Sequence, residues 1–226
     1  MEKVEQLREN YKEIFALKGP LPVRPCKAIF DRCASVIAIL FASPVFLLIF
    51  FAYLIDNLFY PDDRGGILAS YIASDRGKKF IKYKFRITKM RFINKRLREQ
   101  YDVAAYPEEF PEKLTRVGKI LKKAYLDELP QLFNIVKGDM SFVGTRAIAW
   151  EVYQDVLQEG YVHKKVLKAA LWSETDVRKG TPDLHNLVLE YDYIKKYMEF
   201  SAWRLLLTDF KIMARGIKQN IEAKGY

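Results

Sequence analysis

Apolar and polar positions divide the chain into stretches of different period. Val4, Leu7, Tyr11, Ile14 and Phe15 recur at helical spacing with charges between them. That spacing predicts an amphipathic helix over residues 1–18, lying on the folded domain or on a membrane surface. Gly19-Pro20 and Pro22 stop it, and Pro25 precedes the next element. From Ala34 to Ile55 the sequence runs ASVIAILFASPVFLLIFFAYLI, 22 residues without a charge. A membrane helix needs roughly 20 such residues. The thirty-odd residues before the run, with their acidic helical segment, do not suit a secretory leader.

Ser43-Pro44 interrupts this run. Proline removes a backbone hydrogen bond and clashes with the preceding turn, so the sequence predicts two half-helices meeting there. In lipid the freed carbonyl needs a partner, and the Ser43 hydroxyl is placed to supply one. Arg24, Lys27 and Arg32 precede the run, and Lys78, Lys79, Lys82, Lys84 and Arg86 follow it. If both basic flanks stay on the cytoplasmic side, the element is a re-entrant helix-break-helix hairpin. An ordinary kinked span and a buried core helix are the competing readings.

Farther on, Ile81, Tyr83, Phe85 and Ile87 alternate with Lys82, Lys84 and Arg86. Period two means a strand with one apolar and one cationic face. The cations either protect a solvated edge or form a row aimed at phosphates. Residues 89–105 read as a basic helix, 101–111 as a looser segment, 150–171 as helix and 173–183 as a polar loop. The tail from Leu187 to Ile221 is helical and rich in aromatic and basic residues, a mix suited to a headgroup boundary or to packing on the domain. The fold class expected is α+β, mostly helical. It comprises an amphipathic helix (1–23), a re-entrant membrane element (24–58) and a cytoplasmic domain (59–226) with interfacial C-terminal helices and a small β element.

Composition adds a constraint. The chain has 226 residues, half of them apolar, and a formal net charge of +10. That surplus suits nucleic acid, anionic lipid or a phosphorylated substrate, or serves solubility alone. Nothing besides charge favours nucleic acid, and the uncharged run argues against it. Cys26 and Cys33 would sit about 10 Å apart along a helix, too far for a disulfide. His163 and His185 are the only histidines, and no Cys/His spacing resembles a zinc site.

The chemistry-bearing stretch is Leu126-Asp127-Glu128-Leu129-Pro130-Gln131-Leu132, followed by FNIVKGDMSFVG. Asp127 falls where a helix N-cap is expected, Pro130 in the first turn, and Lys137-Gly138 at the helix end. The two carboxylates are either plain caps offsetting the helix dipole or ionised groups at a phosphate and metal site.

The stretch Leu114 to Arg146, with LDELPQL and GDMS, resembles the core motif of the bacterial sugar transferases, the monotopic polyprenyl-phosphate phosphoglycosyl transferases. Phe30-Asp31 before the apolar run, Ser43-Pro44, Tyr83-Lys84-Phe85-Arg86 and the tail 189–214 match in order. The resemblance implies a two-step transfer of a sugar 1-phosphate from a nucleotide sugar, a UDP-sugar by expectation, to polyprenyl (undecaprenyl) phosphate. Asp127 matches the family's nucleophile, which forms an aspartyl phosphosugar. Glu128 matches the adjacent acid and is expected to hold Mg²⁺. Lys84, Arg86, Lys122 and Arg146 are the expected phosphate-binding cations. The location implied is the cytoplasmic face of the bacterial inner membrane. A homo-oligomer or glycan-assembly partners stay open.

Three departures from the family pattern stand out. The usual VGPRP reads Val143-Gly144-Thr145-Arg146-Ala147, without either proline. The G-K-x-F approach is shortened to Gly77-Lys78-Lys79-Phe80. The Pro-Gly-Ile-Thr-Gly stretch has no clear equivalent near 168–179. The altered Arg146 loop motivates a second reading, a non-catalytic relative that scaffolds a membrane glycan-assembly complex.

Overall fold

The computed structural model describes residues 2–93, 111–175 and 183–222. Most of the stretch read as a basic helix over 89–105, and most of the 101–111 and 173–183 segments, lie outside those residues. Helices α1 (Glu2–Asn10) and α2 (Lys12–Phe15) lead into α3 (Pro25–Phe59). Leu7, Tyr11 and Ile14 enter the main core, and the Tyr11 hydroxyl donates to Asp192 Oδ1 at 2.6 Å. Of the two sites open to this segment, the domain surface is the one it occupies.

Helix α3 is continuous over 35 residues. The expected break into two half-helices at Ser43-Pro44 is therefore corrected: the proline lies inside an unbroken helix. The reason is local. Pro44 cannot donate to the Leu40 carbonyl, and the Ser43 hydroxyl donates to that oxygen instead, at 2.7 Å. Both halves of α3 dock on the same domain. Near its start, Lys27, Asp31 and Ser35 are buried, and near its end Ile49, Tyr53 and Asp56. Between those anchors one side of the helix packs on the domain through Ala38, Ile39, Val45 and Phe46, while the other is open, with Leu40 67% and Phe41 82% exposed.

The base of α3 is fixed by a buried polar network. Lys27 Nζ lies 2.5 Å from Asp209 Oδ2 and 3.8 Å from Asp31 Oδ2. Ser141 donates to Asp31, and Tyr193 to the other oxygen of Asp209, each at 2.6 Å. Removing one partner of such a buried pair leaves an uncompensated charge, at a cost of about 3–5 kcal/mol.

Strands β1 (Leu68–Asp75) and β2 (Lys78–Phe85) form an antiparallel hairpin in the register Leu68↔Phe85 to Asp75↔Lys78. Arg76 and Gly77 turn it with positive φ of 49° and 83°, the geometry of a tight two-residue hairpin. After α4 (Arg116–Lys123), a 3₁₀ turn over Leu126–Glu128 leads to α5 (Gln131–Lys137). Gly138 closes α5 at φ 86°, as its position in the sequence requires. Gly118 lets α4 lie against the Ile87 carbonyl, since a Cβ there would sit 2.2 Å from that oxygen.

A second, parallel sheet has the order β3 (Ser141–Val143), β5 (Ala169–Trp172), β4 (Thr145–Arg146). The single helix expected over 150–171 is instead α6 (Trp150–Gln158), α7 (His163–Val166) and strand β5. Gly160, at φ 94°, ends the first piece, and backbone pairing with β3 and β4 overrides helical periodicity in the last. Helices α8 (Asp183–Glu199) and α9 (Ala202–Glu222) form the tail.

Candidate active site

The site grows from strand β2, whose cationic face is the covered one. Lys82 and Lys84 are buried while Ile81 is 51% exposed. Asn134 of α5 sets the height of the strand. Its amide donates to the Ile81 carbonyl at 2.7 Å and accepts from the Tyr83 N–H at 3.0 Å. Those bonds bracket Lys82 and hold the next cation, Lys84, beside the Leu126–Glu128 turn.

That turn follows Tyr125, a left-handed residue at φ 55°. Asp127 is not the N-cap of α5. Pro130 occupies that position without a side-chain cap, and Asp127 lies inside the turn, 1% exposed. Lys84 Nζ stands 3.2 Å from Glu128 Oε1 and 3.8 Å from Asp127 Oδ2. One ammonium thus faces two neighbouring carboxylates, with Glu128 toward the opening and Asp127 behind it. Burial pushes the Glu128 carboxyl up, but Lys84, Lys82 and Arg146 together outweigh burial and hold it well below the usual carboxylate range. The acid is ionised at neutral pH in a strongly positive field.

The sequence-predicted cations fare differently. Lys84 reaches both acids. Arg146 is exposed on β4, and its charge acts on Glu128. Arg86 is buried: its Nε donates to Gly66 O at 2.6 Å and its Nη1 to Thr88 O at 2.9 Å, and the guanidinium lies 5.4 Å over the Tyr53 ring. Lys122 lies in the last turn of α4, which packs on the Leu126–Glu128 turn, but makes no ion pair with either acid among the described residues.

Sequence reasoning missed Lys164. It is buried between Glu190, 2.9 and 3.0 Å away, and the Arg146 carbonyl, to which it donates at 3.2 Å. The clamp fixes the backbone of the loop that lacks prolines. A lone lysine in a helix-patterned stretch gives no local signal of such a role. In the sequence Lys82 is one cation of a row. It donates to the Ala147 carbonyl at 3.3 Å and so ties β2 to the same loop.

Magnesium is a hard ion that binds through one or two carboxylates and completes its shell with phosphate oxygens and water. No group of three or more potential ligands is assembled among the described residues. The adjacent Asp127 and Glu128 carboxylates are the donor type such an ion takes when a diphosphate supplies the rest.

The model of the bacterial sugar transferase family matches residues 23–223. Over 214 residues the chain is 29% identical to the UDP-glucose:undecaprenyl-phosphate glucose-1-phosphate transferase of Caulobacter vibrioides, covering 88% of this chain and 72% of that protein. It is 35% identical over 203 residues to the undecaprenyl-phosphate galactose phosphotransferase of Salmonella typhimurium, covering 84% of this chain and 40% of the other. To the UDP-N-acetylgalactosamine-undecaprenyl-phosphate N-acetylgalactosaminephosphotransferase of Aeromonas hydrophila it is 28% identical over 216 residues, 92% of this chain and 47% of that one. Against the last two, the chain spans under half of the relative's length.

Proposed function

The chain belongs to the bacterial sugar transferase family, and from that premise we propose that it moves a sugar 1-phosphate from a UDP-sugar to undecaprenyl phosphate. The observation that carries the reading is the buried ammonium of Lys84 beside both acids of the motif, 3.2 Å from Glu128 and 3.8 Å from Asp127. The relatives' names supply the substrate classes: UDP-sugars as donors and undecaprenyl phosphate as acceptor.

In the first half-reaction an Asp127 carboxylate oxygen bonds to the phosphorus that carries the sugar. The bond from that phosphorus to the bridging oxygen breaks, and uridine monophosphate leaves with the electron pair. In the second, an oxygen of undecaprenyl phosphate attacks the same phosphorus and the Asp127 carboxylate departs. Dividing the transfer in this way gives each displacement between anions its own positioned nucleophile. Lys84 and Arg146 offset the phosphate charge, Lys84 as a point charge and Arg146 with a planar fork. When bound, Mg²⁺ held by Glu128 would supply further charge neutralisation to the diphosphate. Burial of Asp127 keeps water from the phosphosugar ester until the acceptor arrives.

The docking of α3 on one domain near both its ends, with an apolar face exposed between them at Leu40 and Phe41, supports re-entry rather than crossing. On this reading the catalytic domain stays on the cytoplasmic face of the inner membrane, where the lipid phosphate emerges. The test is direct. Purified chain with Mg²⁺ and a panel of UDP-sugars, without acceptor, is expected to release one equivalent of uridine monophosphate per enzyme. Asp127→Asn should abolish that burst and chelation by EDTA should suppress it. A burst unchanged in Asp127→Asn would refute the nucleophile.

A further inference from the structure

The β1–β2 hairpin wears its two faces the opposite way round from a hairpin in water. Residues directly opposite in an antiparallel pair point to the same side, so Leu68 and Phe85, Ser70 and Tyr83, and Ile72 and Ile81 share one face. Ala69 with Lys84, and Tyr71 with Lys82, share the other. A two-stranded ribbon on a soluble domain turns its apolar face to the core and its cations to solvent. Here Lys82 and Lys84 are the buried side chains, while Leu68 is 58%, Ile72 40% and Ile81 51% exposed. Phe85 is covered where the base of the hairpin meets α3, and the aliphatic residues beyond it are bare.

The bare face does not stand by itself. Leu68 and Tyr83 line one groove with Phe46 and Phe50 of α3 and Phe133 of α5. That groove joins the hairpin to the apolar side of α3, on which Leu47, Phe51 and Leu54 are exposed too. The join ends as a headgroup boundary does: the Lys137 ammonium donates to the Tyr83 hydroxyl at 3.3 Å, both polar tips standing at the edge of hydrocarbon. At the hairpin tip Lys78 and Lys79 are exposed. Lys79 lies roughly 7 Å along the strand from Ile81, where anionic headgroups would meet it. Three half-bare aliphatic side chains fall well short of the about 800 Å² per partner that a stable pair of copies buries. A bilayer needs no such matched area, and it already adjoins the patch through α3.

We propose that this face of the hairpin rests on the bilayer, with Leu68, Ile72 and Ile81 at the boundary between headgroups and acyl chains, as a membrane contact separate from α3. The partner is the lipid surface itself, not a substrate. Lys82 and Lys84 project from the other side of the same two strands. The distance of the site from the headgroups is then set by the thickness of one ribbon. The inference rests on α3 lying in lipid and is independent of the proposed transfer.

The test uses the full chain in nanodiscs of phosphatidylethanolamine and phosphatidylglycerol, with Cys26 and Cys33 changed to serine. A nitroxide is attached at Ile72→Cys or at Ile81→Cys, and its depth is read from collisions with oxygen against those with a water-soluble nickel chelate. Glu9→Cys, exposed on α1, gives the aqueous value and Phe41→Cys, exposed on α3, the lipid value. Both hairpin labels are expected to lie roughly 5–10 Å into the interface. Hairpin labels that match Glu9→Cys while Phe41→Cys reads as lipid would overturn the hairpin contact and leave the membrane helix standing. Labels that read as water at all positions would overturn both. Line broadening that disappears on dilution with unlabelled chain would give the face to a second copy, and that too overturns the proposal. The two labelled positions are on different strands and already half bare, so either variant decides the matter if the other fails to fold.

Discussion

Replacing Lys84 by methionine removes a cation that lies within 4 Å of both acids and leaves the buried volume nearly unchanged. At 3.2 Å from Glu128 and 3.8 Å from Asp127, the lost attractions are about 5 and 4 kcal/mol at an effective dielectric near 20. Their sum is not the stability change, because the remaining pair can shed charge by taking up a proton. Neutralising one carboxyl of ordinary value 4.5 at pH 7 costs about 3.4 kcal/mol. That figure caps the destabilisation for one proton taken up, and it falls to about 0.7 kcal/mol at pH 5. For a chain of this length the cap corresponds to a Tm drop of about 7–14 °C at pH 7 and about 1–3 °C at pH 5.

The sign follows from linkage. In the parent, Glu128 titrates below its unfolded value, so its contribution is present above that value and is lost only as pH falls through the depressed folded one. The parent is therefore flat in this respect between pH 5 and 7. In Lys84→Met a folded-state carboxyl titrates above its unfolded value, so the variant loses stability as pH rises. Thermal unfolding by intrinsic fluorescence at pH 5 and 7 reads both terms, and Lys84→Arg, which keeps the charge, should recover most of the Tm. A deficit of the same size at both pH values would mean that packing, not charge, is what Lys84 contributes, and the argument would fail.

Two further outcomes are expected. Lys164→Met, which frees the Arg146 carbonyl and leaves Glu190 buried beside it, should raise KM for the UDP-sugar roughly tenfold while kcat changes little. Lys164→Arg should restore part of the loss, and a fall in kcat alone would assign Lys164 a purely structural role. With the native cysteines changed to serine, single cysteines at positions 3 and 62 should both resist an impermeant maleimide applied to the periplasmic side. Labelling at position 3 but not at 62 would replace re-entry by a span.

Much of the molecule is written in local pattern. The uncharged run from Ala34 to Ile55 specifies a helix that few neighbours cover, because hydrocarbon side chains without charges have no other stable exposure. Gly138 ends α5 because only glycine adopts φ 86° without strain. The partner for the carbonyl orphaned by Pro44 could be named from the adjacent Ser43. The acids Asp127 and Glu128 and the cation Lys84 were legible through the motif.

Tertiary structure decided the rest. A period of two states that β2 has a cationic face but not whether that face meets solvent or protein. Packing against α5 and the loop beyond it buried Lys82 and Lys84, while the carbonyls of Gly66 and Thr88 drew Arg86 away. Lys164 and Glu190 stand 26 residues apart in sequence, and Phe46 meets Phe133 from a different element altogether. Contacts between segments distant along the chain leave no periodic trace in either. Sequence therefore determined which groups this protein carries and where its apolar helix and strand β2 run, while tertiary pairing turned the end of the 150–171 stretch into a strand and the docking of α3, β2 and α5 decided which groups face one another.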